Sequence, residues 1–207
     1  MNKNLRIILF GLVFVLVIVG AWLLYDNLKD NVGHDTLSTQ APVSTGASES
    51  KGEDTTQASQ STEATEAPKQ APDFTVYTVD GEAVKLSDYF GKPIVLNFWA
   101  SWCGPCKMEM PEFNKMAETL DGEVQFLMVN MTDGSRETVE TASQYVAKEG
   151  FTFPVFYDTS SEAMMAYGAY ALPTTYFIDS NGYPVAYANG AIDSETLQKG
   201  IDMITGK

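Results

Sequence analysis

The chain has 207 residues, 27 acidic against 13 basic side chains, one histidine and a net charge of −14. That acid surplus excludes a nucleic-acid binder, because phosphates require basic patches, and it favours a soluble surface without naming a partner. The two cysteines and one histidine also fall short of the four ligands of a structural zinc site, so no metal is expected.

In chain order, Lys3 and Arg6 precede a stretch, 7–25, that carries no charged residue. Roughly 19 helical residues at about 1.5 Å each are long enough to cross the apolar layer of a bilayer. Trp22 and Tyr25 sit near its outer end, as interface aromatics do. Gly20-Ala21 is followed by bulky Trp22-Leu23-Leu24-Tyr25, unlike a cleavage site, so 1–28 reads as an uncleaved single-pass transmembrane anchor. The basic residues ahead of it place the N-terminus in the cytoplasm and the rest of the chain outside. Residues 29–70 are rich in Ser, Thr, Gln and Glu and nearly empty of large apolar side chains. Such a segment cannot offset its ordering entropy and reads as a disordered tether, about 35 Å long on average. His34 lies in it, which removes Cys–His, Ser–His and His–metal chemistry from the folded part.

Residues 71–207 have the size of one domain. The alternation at 74–79 predicts a strand, Asp80-Gly81 a hairpin turn, and 83–86 a return strand. The apolar run 94–99 predicts a buried strand and 105–120 a helix kinked near Pro111. A second central strand is expected at 124–130, then a helix over 136–148 closed by Gly150. A short strand at 154–157 and a short helix at 161–167 follow. Strands at 175–178 and 183–188 flank the turn Asp179-Ser180-Asn181-Gly182, and Ser194 is placed to cap a last helix. Strand–helix repeats ending in a hairpin and a helix predict a mixed central sheet with helices on both faces.

The chemistry concentrates at Trp102-Cys103-Gly104-Pro105-Cys106-Lys107. Covalent haem attachment needs His after the second Cys, and Lys107 stands there. A purely structural disulfide would close too small a loop to remove much chain entropy. Reversible dithiol–disulfide exchange fits the setting better. Pro105 suits the first turn of a helix, so Cys103 faces unpaired N–H groups at the positive end of the dipole. Such sites lower a thiol pKa from about 8.5 to roughly 3.5–7.5. Cys103 is then the exposed attacking thiolate, and Cys106, one turn in, resolves the mixed disulfide.

The stretch Asn97-Phe98-Trp99-Ala100-Ser101-Trp102-Cys103-Gly104-Pro105-Cys106-Lys107 resembles the active-site stretch of thioredoxin-fold proteins. Ala71-Pro72-Asp73-Phe74, Leu86-Ser87-Asp88-Tyr89 and Gly91-Lys92-Pro93 are similar to the redoxin branch that includes TlpA and ResA, which are membrane-tethered extracytoplasmic thiol–disulfide oxidoreductases. The resemblance covers 71–207 and implies an α/β fold, a thioredoxin-like mixed sheet with an N-terminal β-hairpin. It also makes Leu172-Pro173-Thr174-Thr175 a cis-proline loop, with Pro173 against the dithiol and Leu172 pairing with an extended substrate by strand addition. Trp102, Gly104 and Pro105 complete the implied substrate contact. Glu109 matches an acid of the ResA-like branch. It reads either as a proton shuttle for Cys106 or as a solvent-facing residue favoured by the helix end. Asn97 departs from cytoplasmic thioredoxins, which carry a proton-moving Asp there.

By the same resemblance the chain is an enzyme that reduces disulfides of exported proteins, such as apocytochrome c or oxidised repair enzymes. It would be re-reduced by a membrane electron donor of the CcdA or DsbD type and use no cofactor beyond the Cys103–Cys106 redox pair. A monomer is the default expectation. The alternatives are a DsbA-like oxidase, a thiol peroxidase and a surface binding module on a redox fold. Peroxidases place a Thr shortly before the reactive Cys and an Arg nearby, and neither is apparent in the sequence around Cys103.

Overall fold

All six residues of strand β3 (Ile94–Trp99) are buried, and the domain is arranged around them. A computed structural model describes residues 69–207 together with Val19 and residues 37–39. The expected anchor at 1–28 and most of the expected tether lie outside the described residues, among which no helix is long and apolar enough to cross a membrane.

A hairpin of β1 (Thr75–Tyr77) and β2 (Ala83–Lys85) opens the domain and is followed by a 3-10 turn, Leu86–Tyr89. Strand β3 then leads into helix α1 (Gly104–Thr119), which continues through Pro111. Next come β4 (Gln125–Asn130), α2 (Val139–Glu149), β5 (Val155–Tyr157) and α3 (Glu162–Tyr167). Strands β6 (Thr174–Ile178) and β7 (Pro184–Asn189) and helix α4 (Ser194–Thr205) complete it. The seven strands form one sheet in the order β2-β1-β5-β4-β3-β6-β7. Strand β3 runs parallel to β4 and antiparallel to β6, so the sheet is mixed as expected. This is the thioredoxin-like α/β arrangement.

Alternation along β3 splits the core between the two faces of the sheet. Val95 and Trp99 pack in a cluster with Met110 and Phe113 of α1, Ala142 of α2 and Leu197 and Ile201 of α4. Ile94, Leu96 and Phe98 pack in a second cluster with Leu86, Ala163 and Tyr167. Helix α4 lies close to the sheet at Gly200, where a Cβ would overlap the Phe177 ring.

Three expectations are revised. The last helix is capped by Asp193, whose side chain accepts the N–H of Thr196, so Ser194 is its first residue and not its cap. The helix expected from 136 starts at Val139 instead, because Asp133 and Thr138 compete for its first turn. The Asp133 carboxylate accepts the N–H groups of Ser135, Arg136 and Glu137, and Thr138 forms the cap by accepting from Thr141 N. The segment expected to be structureless also makes ordered contacts among its described residues. Ser38 forms an antiparallel bridge with Tyr187, in both directions at 2.8 Å, and Leu37 packs against the first cluster. Strand β7 ends the sheet and offers free backbone groups to such a visitor.

Candidate active site

Strand β3 and helix α1 meet at a tight turn that delivers the cysteines. The N–H of Cys103 donates to Ala100 O at 3.1 Å, closing the turn over Ser101 and Trp102. Cys103 is then the N-cap of α1, with Pro105 in the helix's first turn as its fixed φ favours. Its sulfur accepts the N–H of Cys106 at 3.2 Å. A sulfur in that place lies at the helix N-terminus, where thiolate charge is favoured.

The two cysteines are joined as a disulfide, with Cα atoms 5.3 Å apart. One expectation is corrected here. Cys103 is not openly exposed: it retains 5% of its surface and Cys106 none, because the bonded sulfurs turn into the first core cluster. The small opening belongs to Cys103 alone of the two. Gly104 and Pro105 are exposed beside it, and Trp102 is 41% exposed.

The bond between Leu172 and Pro173 is cis, Pro173 is buried, and Leu172 is half-buried. Pro173 O accepts from Gly190 N at 2.8 Å, and Thr174 Oγ1 donates to Ala171 O at 2.7 Å, which tie this loop to β7 and to itself. Leu172 and Trp102 share the lining of a cleft of about 390 Å³ with Met131, Met164 and Tyr170. Of the expected substrate-contact residues, Trp102 and Leu172 therefore line one opening together.

Beneath the dithiol, Glu109 is 3% exposed, which removes the solvent-facing alternative. Asn97 Nδ2 donates to its Oε1 at 2.9 Å, and Ile192 N donates to its Oε2 at 3.0 Å. Burial pushes the carboxyl up to about 7, against the opposing pull of those two donors. Asn97 Nδ2 also donates to Thr175 Oγ1 at 2.9 Å, while its Oδ1 is buried without a partner. Glu109 lies three residues after Cys106 on the same helix, so a titratable carboxyl is buried one turn from the resolving sulfur.

Residues on the other side of the turn went unnoticed in the sequence. Glu137 is completely buried. It accepts the N–H of Ser101 at 2.9 Å, the hydroxyl of Ser101 at 2.7 Å and Asn130 Nδ2 at 2.8 Å. Beside it, the guanidinium of Arg136 lies over the Trp102 ring, 3.6 Å from its centre. Their separation from the cysteines in sequence gave no local signal; the only hint was two charged residues following the turn-forming Asp133-Gly134-Ser135. No group of acidic, His or Cys side chains suited to a metal occurs among the described residues.

The AhpC/TSA family model matches residues 67–185. Over 135 residues the chain is 34% identical to the thiol-disulfide oxidoreductase ResA of Geobacillus thermodenitrificans (strain NG80-2), covering 65% of this chain and 75% of that one. Among solved structures it is similar to StoA from Bacillus subtilis, with 26% identity, a TM-score of 0.55 and coverage of 63% of this chain and 97% of that one. It is also similar to the pneumococcal exposed lipoprotein thioredoxin Etrx1 from Streptococcus pneumoniae strain TIGR4, with 31% identity, a TM-score of 0.53 and coverage of 63% and 99%.

Proposed function

The chain belongs to the AhpC/TSA family and is a ResA-like thiol–disulfide oxidoreductase, and from that premise we propose that it reduces disulfides of exported proteins outside the cytoplasmic membrane. The observation that carries the order of the chemistry is the capping of α1 by the Cys103 sulfur, with Cys106 sealed behind it.

In the reduced enzyme the Cys103 thiolate attacks one sulfur of a substrate disulfide. A bond forms between Cys103 Sγ and that sulfur, and the other substrate sulfur leaves as a thiolate. Cys106, losing its proton, attacks Cys103 Sγ and releases the second substrate sulfur. Two electrons pass from the dithiol to the substrate, and the enzyme is left with the Cys103–Cys106 disulfide. Glu109 takes the Cys106 proton. A carboxyl held at about 7 is both a usable acceptor and a usable donor near neutral pH. Asn97, which cannot titrate, orients it. The substrate lies extended along Leu172 and Pro173, with Trp102, Gly104 and Pro105 against its cysteine-bearing segment.

The domain is a monomer, residues 71–207, held to the membrane by the segment 1–28 through the linker 29–70. The N-terminus is cytoplasmic. A membrane thiol donor of the CcdA or DsbD type returns the enzyme to its dithiol form. The redox pair is its only redox group.

Trapping tests this reading. Cys106→Ser, expressed in the native cell, is expected to accumulate mixed disulfides through Cys103, and the captured chains are expected to be exported proteins with cysteine pairs. Capture of cytoplasmic proteins alone would sink the proposed location. The reduction potential tests direction: a value near thioredoxin's, about −270 mV, is expected, whereas one near DsbA's, about −120 mV, makes the enzyme an oxidase.

A further inference from the structure

The turn Ala100–Cys103, closed by the Cys103 N–H to Ala100 O bond, has two central residues, and both are held by one distant loop. The first, Ser101, gives its N–H and its hydroxyl to Glu137. The second, Trp102, stacks under the guanidinium of Arg136. Glu137 is itself steadied from β4, by Asn130 Nδ2, and Asn130 Oδ1 accepts from Thr132 Oγ1 at 2.8 Å. The loop carrying the pair is tied by Asp133, whose Oδ1 accepts three backbone N–H groups at 2.7, 2.7 and 3.0 Å. Those donors, led by the Glu137 N–H, pull the Asp133 carboxyl down to about 2, so the knot holds across the physiological range.

A buried carboxylate with three donors is an expensive feature to keep where packing alone would serve, because its removal strands each donor. Two of the three donors belong to the first central residue of the turn that leads into the reactive sulfur. We propose that Glu137 is a positioning residue for the dithiol, gripping Ser101 so that the turn presents Cys103 at the N-terminus of α1. This rests on the dithiol reading of the site. Glu137 touches neither sulfur nor substrate; it acts through Ser101. In the disulfide state the S–S bond also pins Cys103. In the dithiol state that bond is gone, and the grip on Ser101 becomes the main restraint on where the Cys103 sulfur sits against the helix end. The kinetic consequence belongs to the reduced enzyme.

Two substitutions separate geometry from charge. In Glu137→Gln the amide oxygen can keep the Ser101 N–H and Asn130 contacts, and the amide nitrogen can donate to the Ser101 hydroxyl, which turns round to accept. Glu137→Ala loses the same charge and the grip as well. Measured by stopped-flow as attack of the pre-reduced enzyme on a cysteine-containing peptide disulfide, the Ala variant is expected to react roughly tenfold more slowly than the Gln variant, the scale of a misaimed reacting group. The Cys103 thiolate, followed by its ultraviolet absorbance against pH, is expected to form at higher pH in Ala than in Gln, since only Ala lets the sulfur drift from the helix N-terminus. Matching rates and thiolate titrations in the two variants would overturn the proposal. If Glu137→Ala does not fold, Ser101→Ala, which deletes the hydroxyl from the other side, is expected to slow attack roughly threefold, about half of one hydrogen bond's usual effect; no change there also overturns it. Cys103→Ser is the control for the dithiol reading. Retained activity in that variant defeats the reading itself, whereas lost activity there with equal Ala and Gln variants defeats only the role of Glu137.

Discussion

Two buried carboxyl groups flank the redox pair, and they are supplied differently. Glu109, on the Cys106 side, has one donor on each oxygen, and burial outweighs both, so it titrates near neutrality. Glu137, on the Cys103 side, has three donors, two of them from the turn before the attacking sulfur. The first arrangement suits a group that must gain and lose a proton. The second suits a group that must stay where it is. In the proposed mechanism the same side-chain type serves proton handling near Cys106 and geometry beside Cys103, and the number and source of its donors distinguish the two.

The largest effects should come from the sulfurs between the two carboxyls. Cys103→Ser is expected to abolish disulfide reduction, and Cys106→Ser to abolish turnover while leaving a stable mixed disulfide, detected as a mass shift under non-reducing conditions. Equal trapping by both variants would remove the asymmetry on which the comparison is built.

Next comes a substitution that spoils the proton side by adding charge. Asn97→Asp replaces a donor to Glu109 with a second carboxylate in the same buried site. At about pH 8, where both would ionise, the folded state is expected to lose roughly 3–5 kcal/mol, the scale of an uncompensated buried charge. In acid the loss should shrink, because two carboxyls can share a proton. Denaturant unfolding at both pH values measures it. A loss that ignores pH would mean that shape, not charge, governs Asn97.

Glu109→Gln is expected to act more gently and with a defined slope. The folded carboxyl holds its proton up to about 7, whereas the unfolded chain releases it near the ordinary glutamate value of 4.5. The stabilisation is therefore complete below about pH 4.5 and is lost as pH rises through about 7, a fall of about 3 kcal/mol. The Gln variant should lack that fall, whatever constant offset its mismatched amide adds. Its pH–rate profile should also lose the limb near neutrality that Cys106 deprotonation shares with Glu109. Superimposable stability curves would show that Glu109 does not titrate where its burial requires.

Much of the proton side was legible in sequence because its signals are local or repeat a known pattern. The apolar run of β3, Pro105 in the first turn of α1 and the paired cysteines lie in one short stretch, and the resemblance pointed to Glu109 and Pro173. The Cys103 side was not legible. Arg136 and Glu137 fall at the start of the helix expected over 136–148, and nothing in that placement points to the dithiol. Three backbone bonds to Asp133 delay that helix to Val139, and the delay turns Glu137 inward, 36 residues from the serine it holds. Nothing in helical spacing encodes that contact. Likewise, the composition of the tether spoke against order, while Ser38 found the open edge of β7, a feature that exists only once the sheet is assembled. The near-closure of Cys103 escaped notice for the same reason: a helix N-cap is exposed in isolation, and the core that covers it comes from remote strands.

The smallest predicted effect sharpens the Cys103 side further. Arg136 lies over a ring that is 41% exposed, so its attraction to Trp102 is partly screened, on the order of 0.5–1 kcal/mol. Arg136→Gln removes the charge yet leaves its backbone N–H on Asp133, so the loop and Glu137 should stay in place. Attack on a neutral peptide disulfide is then expected to slow only about two- to fivefold. Attack on a peptide with acidic residues beside its disulfide should slow more, because Arg136 sets a cation next to the opening of a strongly acidic chain. Raising the salt concentration should erase the difference between the two peptides in the wild type and change little in the variant. A uniform slowing with both peptides, unaffected by salt, would make Arg136 part of the mechanical grip alone, whereas the charge-dependent split separates what Arg136 does for the substrate from what Glu137 does for the sulfur.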